Sequence, residues 1–144
     1  MKDFHKIVVA VDGSDSSIRA ARVAARLADS LSVPLVMIHV FPLMSNDIAG
    51  ALGMSATEIE TLRDNAAANT FAEVREQISD RDLDIQEVAR VGDIAEEILH
   101  YLNNDPDILA VLGRRGRSAI GSLLLGSVSD KVLRHTKTPV TVVT

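Results

Sequence analysis

At 144 residues, 47% of them hydrophobic, the chain has the size of one domain spanning 1–144, and a domain of this length buries roughly 68–70% of its unfolded surface. It contains no cysteine, which excludes a disulfide framework and a thiolate metal site. Fifteen basic against twenty acidic side chains give a net charge of −5, and aromatic residues make up 3%, so a basic nucleic-acid surface with base-stacking platforms is not expected. No apolar run reaches the length of about 18 residues that a membrane helix needs. The opening MKDFHKIVVAVDG carries Asp12 and Gly13 where a signal peptide would need small cleavage-site residues. These features point to a cytoplasmic protein without a membrane partner.

The first predicted element is a buried strand, KIVVAV (6–11). Ile18, Ala21, Ala25 and Ala28 then recur at helical spacing, with Leu31 continuing the face. Asp15, Ser16 and Ser17 offer N-caps for that helix. PLVMIHVF (34–41) is a second buried strand, opened by Pro34, where a missing N–H costs least. His39 within it reads as a core histidine, because the four histidines share no metal-ligand spacing. Residues 42–56 form a loop whose Met44, Leu52 and Met54 fit a lid or partner surface as well as a loop tucked onto the core.

Thr57-x-x-Glu60 has the pattern of a capping box. It opens a long amphipathic helix marked by Ile59, Leu62, Ala66, Val74 and Ile78. Residues 83–91 form a more polar strand, Leu83 and Ile85 alternating with Asp84 and Gln86, as suits a sheet edge. Ile94, Ile98 and Leu102 mark a third helix, and DILAVLG (107–113) a third fully apolar strand. A glycine-rich stretch leads to a helix over 127–135, and PVTVVT (139–144) is the last strand.

Apolar strands separated by helices imply a parallel sheet covered on both faces. Right-handed crossovers make this a doubly wound α/β fold. Strands 1 and 4, both wholly apolar, belong in the middle. A ligand is then expected outside the C-terminal strand ends where the strand order reverses, between the segments after Val11 and after Leu112.

That place holds the glycine-rich stretch. Gly113 and Gly116 can take positive φ at little steric cost, and successive N–H groups there can form an anion-binding nest. Gly126 and Ser127 stand where the last helix begins, so its open N–H groups and positive dipole end can hold a second phosphate. Ser127 and Ser129 supply hydroxyls, and Arg114, Arg115 and Arg117 supply positive charge in an acidic chain. Without the spacing, the same residues would read as a solvated turn.

The spacing Gly113-x2-Gly116-x9-Gly126-Ser127 resembles the G-2x-G-9x-G-[S/T] motif of ATP-binding universal stress proteins. IVVAVDGSDSS at the start, HVF at 39–41, VGDIAEEIL at 91–99 and LLLGSVSDKVLRHTKTPVTVV at 123–143 resemble that family as well. The resemblance implies a five-stranded sheet in the order 3-2-1-4-5, helices on both faces. It implies Asp12 at the ribose, Val40 lining the adenine pocket, and Leu112 and Gly113 beside sugar and base. Arg115, Gly116, Gly126, Ser127, Val128 and Ser129 would surround the phosphates, with Mg²⁺ accompanying them. Asp12 has a competing role as a cap for the first helix. Arg114 and Arg115 replace the small or polar residues more common between the first two glycines. The resemblance also implies a homodimer through strand 139–144, whose uncharged valine-rich edge invites another strand.

Enzymatic readings are weaker. No Gly-Lys-[Ser/Thr] follows the glycines and no G-x-G-x-x-G follows strand 1. The turn from Asp12 to Ser17 is similar to the Ser-Gly-Gly-x-Asp-Ser loop of ATP pyrophosphatases, but is one residue short and lacks the second glycine. Slow ATP hydrolysis or autophosphorylation needs mainly positioning and charge stabilisation and stays open. So does a nucleotide-free dimeric scaffold.

Overall fold

The computed structural model describes residues 3–43, 50, 52–78, 82–114 and 125–144. Five strands and four helices alternate: β1 (Lys6–Ala10), α1 (Asp15–Leu31), β2 (Leu35–Pro42), α2 (Ala56–Ile78), β3 (Ile85–Gly92), α3 (Ile94–Asn103), β4 (Ile108–Gly113), α4 (Ser127–His135) and β5 (Val140–Val143). The strands form one parallel sheet in the order β3-β2-β1-β4-β5, as expected. Strand ends move by one or two residues; α4 begins and ends where its sequence predicts.

Side-chain alternation splits the core in two. Ile7, Val9 and Val11 of the central segment point to the face covered by α1 and α2. Val8 and Ala10 point to the face covered by α3 and α4, with Ile98, Leu102 and Val132. Helix α1 lies on the sheet through a stripe of alanines, Ala20, Ala21, Ala24, Ala25 and Ala28, all fully buried. Their small side chains let its backbone come close to β1 and β4. His39 is buried and meets Phe71 of α2 edge to face, ring centroids 6.3 Å apart. It is the core histidine that its setting suggests. Among the described residues no helix is long and apolar enough to cross a membrane.

Three local expectations need correction. Helix α1 is capped by Ser14, whose Oγ accepts from the Ser17 N–H at 3.2 Å, and Asp15 to Ser17 lie inside its first turn. Helix α2 is capped by Ser55, not Thr57: the Ser55 carbonyl accepts from Ile59 N–H at 3.1 Å and its Oγ from Glu58 N–H at 3.1 Å. The winning residue is in each case the one directly before the first helical φ/ψ, where a side chain reaches the third N–H. The apolar face of α2 buries only from Ala67 onwards, through Thr70, Phe71, Val74 and Ile78; Leu62 is 42% exposed. A helix of 23 residues is about 34 Å long, more than an eight-residue strand at about 26 Å, so its first turns overhang the sheet.

Candidate functional site

The strand order reverses between β1, the central strand, and its neighbour β4. After β1 the chain turns sharply. Asp12 Oδ1 accepts from Ser14 N–H at 2.9 Å, Gly13 takes φ 81°, and Asp12 N–H donates to Ser17 Oγ at 3.3 Å. The carboxylate of Asp12 thus sets the turn that delivers the Ser14 cap. It stands half-buried just past the end of β1.

Gly113 ends β4 on the α1 face. A Cβ built there would sit 2.5 Å from Ser16 Oγ and 2.8 Å from the Ser16 carbonyl oxygen. Positive φ among the described glycines occurs at Gly13, Gly53 and Gly92 and not at Gly113. Gly113 does not use the positive φ open to it; glycine is needed here for close approach of α1. The Gly113 carbonyl accepts from Ser129 Oγ at 2.7 Å. Arg114 N–H donates to Val143 O at 2.8 Å, and the Arg114 carbonyl accepts from Gly126 N–H at 2.8 Å. Residues 114 and 126 are thus joined directly, and the segment between them leaves and returns at one point. Arg115, Gly116 and Arg117 lie outside the described residues, as does Met44 of the 42–56 loop.

Gly126 is the N-cap of α4, with φ −70°, ψ 163° and no side-chain hydrogen bond. The first-turn N–H groups of a helix have no intrahelical acceptor, and here no cap side chain supplies one. Ser127 is exposed, Val128 is partly buried against the α3/α4-side core, and Ser129 is 5% exposed. Two nearby cations are already engaged: Arg134 Nε pairs with Asp130 at 3.0 Å, and Lys131 bridges to Glu96 of α3 at 3.3 Å and to Asp93, the N-cap of α3, at 3.8 Å.

Val40 and Leu112 lie on the α3/α4 face, 7% and 3% exposed. Ala10 of β1 shares this face. Register places Ala10 beside Ile38 on β2 and, one step past the Val9–Val111 pair, beside Leu112 on β4. Both neighbours are buried, yet Ala10 in the central strand is only half-buried. Its small side chain is partly exposed on the α3/α4 face at the C-terminal end of the strand. An alanine inside an apolar run gives no sequence signal for this.

The sequence profile of the universal stress protein family matches residues 3–144. The chain belongs to the universal stress protein family. A universal stress protein of Bacillus subtilis is 28% identical over 97% of this chain and 99% of its own. One from Thermus aquaticus is 31% identical over 97% and 98%. Among solved structures, UspA from Lactobacillus plantarum superposes with a TM-score of 0.81 at 20% identity, covering 100% of both chains. A universal stress protein in complex with cAMP superposes with a TM-score of 0.67 at 26% identity, covering 99% of this chain and 98% of that one. The universal stress protein fold of this chain accordingly agrees in strand order with its family. Among its described residues no group of three or more His, Cys, Asp or Glu side chains could hold a metal ion.

Proposed function

We propose that this universal stress protein binds an adenine nucleotide, ATP or its ADP and AMP forms, in the crevice between the C-terminal ends of β1 and β4. The carrying observation is the glycine cap of α4, which leaves the helix's first N–H groups without a side-chain acceptor beside the bonded 114–126 junction. A helix start of this kind favours phosphate through its N–H groups and its dipole. Leu112 and the partly exposed Ala10, with Val40 further along β2, supply an apolar surface for the base, and Asp12 an acceptor for the ribose hydroxyls. Arg115, Gly116, Gly126, Ser127 and Val128 surround the phosphates, and Gly113 fixes where their loop starts. Mg²⁺ comes with the phosphates as their counter-ion. The relative that holds cAMP, 26% identical over nearly the whole chain, supports an adenine ligand.

In this reading the protein is a cytoplasmic sensor or regulator in the stress response, whose partner contacts depend on the nucleotide. No positioned general base is evident among the described residues of the site, so turnover falls well below the usual enzyme range of about 1–10³ s⁻¹. The reading includes a homodimer through β5. Pro139 O and Val143 O bond to β4, so the alternate residues Val140 and Val142 turn their backbone N–H and C=O outward. An edge of this kind accepts a second strand, and a two-fold pairing is the commonest symmetry.

Equilibrium dialysis with ATP and Mg²⁺, together with mass identification of any nucleotide that copurifies, tests the function. Saturable uptake with a Kd below about 1 mM, or about −4 kcal/mol, is expected. Absence of saturable uptake refutes it and leaves the nucleotide-free scaffold.

A further inference from the structure

Helix α1 carries a basic stripe that the nucleotide reading leaves unused. Arg19, Arg22 and Arg26 are all exposed. Residues three and four apart on a helix are neighbours on one face, so the three side chains share a line about 10 Å long. It runs opposite the buried alanines that seat α1 on the sheet, and the platform beneath it is therefore fixed. Among the described residues Arg19 and Arg26 make no ion pair and no side-chain hydrogen bond. Arg22 Nη2 donates to Gln77 Oε1 of α2, a neutral partner that orients the guanidinium and leaves its charge uncompensated. Like charges at this spacing weaken a helix; an anion lying along the stripe would relieve them.

The stripe selects among anions. All the basic residues of α1 are arginine, whose planar fork takes a carboxylate or phosphate through two parallel bonds. The stripe is also short and bordered by acids. Asp15 lies one turn before Arg19, Asp29 one turn after Arg26, and the exposed Glu73 one turn from Gln77 on α2. Duplex DNA, with a charge every 1.7 Å or so along its axis, would overrun the stripe and meet those carboxylates. A membrane surface would meet them too, and the exposed large apolar residue of α1, Leu31, lies beyond the stripe, so no apolar side chain among the arginines could insert. Same-side residues of an extended chain recur about every 6.7 Å and fall out of step with the arginines. Carboxylates at i, i+3 and i+7 of a second helix match them one for one and end where they end.

We propose that α1 is a docking face for an acidic helix of a protein partner, whose carboxylates at i, i+3 and i+7 pair with Arg19, Arg22 and Arg26. The proposal does not depend on the nucleotide reading.

The test is an NMR titration of the whole protein with an alanine-based peptide of about 18 residues, long enough to form an isolated helix, carrying glutamates at i, i+3 and i+7. Saturable shifts at the backbone amides and Nε–H groups of Arg19, Arg22 and Arg26 are expected at millimolar peptide and low salt. Replacing the glutamates by glutamine, spreading them around the peptide helix, or combining Arg19→Gln with Arg26→Gln in the protein is expected to weaken binding at least about fivefold, as the loss of exposed ion pairs allows. Glutamine is a good helix former, so the urea midpoint of the double variant is expected to stay or rise. Shifts that do not saturate, or that fall outside α1, would overturn the proposal. Equal binding of the peptide with its glutamates spread around the helix would do so as well, because the spacing would then carry nothing. Tighter binding of duplex DNA, or of vesicles of phosphatidylcholine and phosphatidylserine, at the same arginines would put a nucleic acid or a membrane in place of the acidic helix and overturn it. A lowered urea midpoint in the double variant would make the arginines structural and overturn it too.

Discussion

Gly113 and Ser16 lie so close that a Cβ on the glycine would stand 2.5 Å from Ser16 Oγ and 2.8 Å from its carbonyl oxygen. The hydroxyl could rotate away, but the backbone oxygen sits on a helix held down by five buried alanines. Gly113→Ala should therefore cost about 1–3 kcal/mol of stability, the usual range for overpacking. Urea denaturation reads the loss. Adding Ser16→Gly removes the hydroxyl and leaves the backbone contact, so it should recover only part. Full recovery would show that the side chain alone sets the fit.

The half-buried Ala10 between Ile38 and Leu112 makes a second prediction. Ala10→Leu puts a larger side chain on this surface and should weaken ATP and adenosine alike by at least about tenfold, roughly 1.4 kcal/mol, because the base and not the phosphates is displaced. Equilibrium dialysis with both ligands checks it. Unchanged affinity for adenosine would put the base elsewhere.

Val142 turns its backbone groups away from β4, so Val142→Pro removes an outward N–H and no bond of the intramolecular ladder. Sedimentation at micromolar concentration should show a dimer for the wild type and a monomer for the proline variant. Val142→Lys, which sets like charges near the two-fold axis, should do the same. A dimer unaffected by either substitution would place the interface on another surface.

At the opposite end of the sheet, Asp105 receives His5 at 2.8 Å and Lys6 at 3.4 Å. Burial pushes its carboxyl up. Hydrogen bonds from His5, the Asp107 N–H and Lys6, with the charge interaction of His5, outweigh this and hold it below the ordinary carboxylate value. A depressed carboxyl contributes stability above its unfolded pKa of about 3.9 and loses it as pH falls through the folded value. Asp105→Asn should cost roughly 0.5–1 kcal/mol at pH 7, as befits a partly exposed pair, and close to nothing at pH 3. Denaturation at the two pH values tests the sign. An equal cost at both would mean the contribution is not ionic.

Much of this architecture was legible because it depends on local pattern. Four apolar strands and one polar one, separated by helical periods, point to a parallel sheet with strands 1 and 4 in the middle and the polar strand at an edge; the full order 3-2-1-4-5 is what the family resemblance implies. The bare glycine start of α4 was readable from Gly126-Ser127 directly before an amphipathic run. Other features depend on what lies across space. Glycine at 113 answers to Ser16, far away in the chain, and not to its own φ. Ala10 carries meaning only because of the strands beside it. The caps at Ser14 and Ser55 each stand near other serine, threonine or aspartate residues with equal propensity, and only the turn geometry selects among them. Periodicity marked Leu62 as part of an apolar face without showing that the sheet ends before reaching it.

The central claim is that the uncapped start of α4 holds a nucleotide phosphate. Gly126→Asp tests it by giving the helix the cap it lacks: the carboxylate would accept the first-turn N–H groups, adding a few tenths of a kcal/mol to stability while occupying the anion's place. The measurement is a calorimetric titration of wild type and Gly126→Asp with ATP and Mg²⁺. Saturable binding by the wild type and none by the variant, with thermal stability kept or raised, is the expected result. Wild-type affinity in Gly126→Asp would contradict the account.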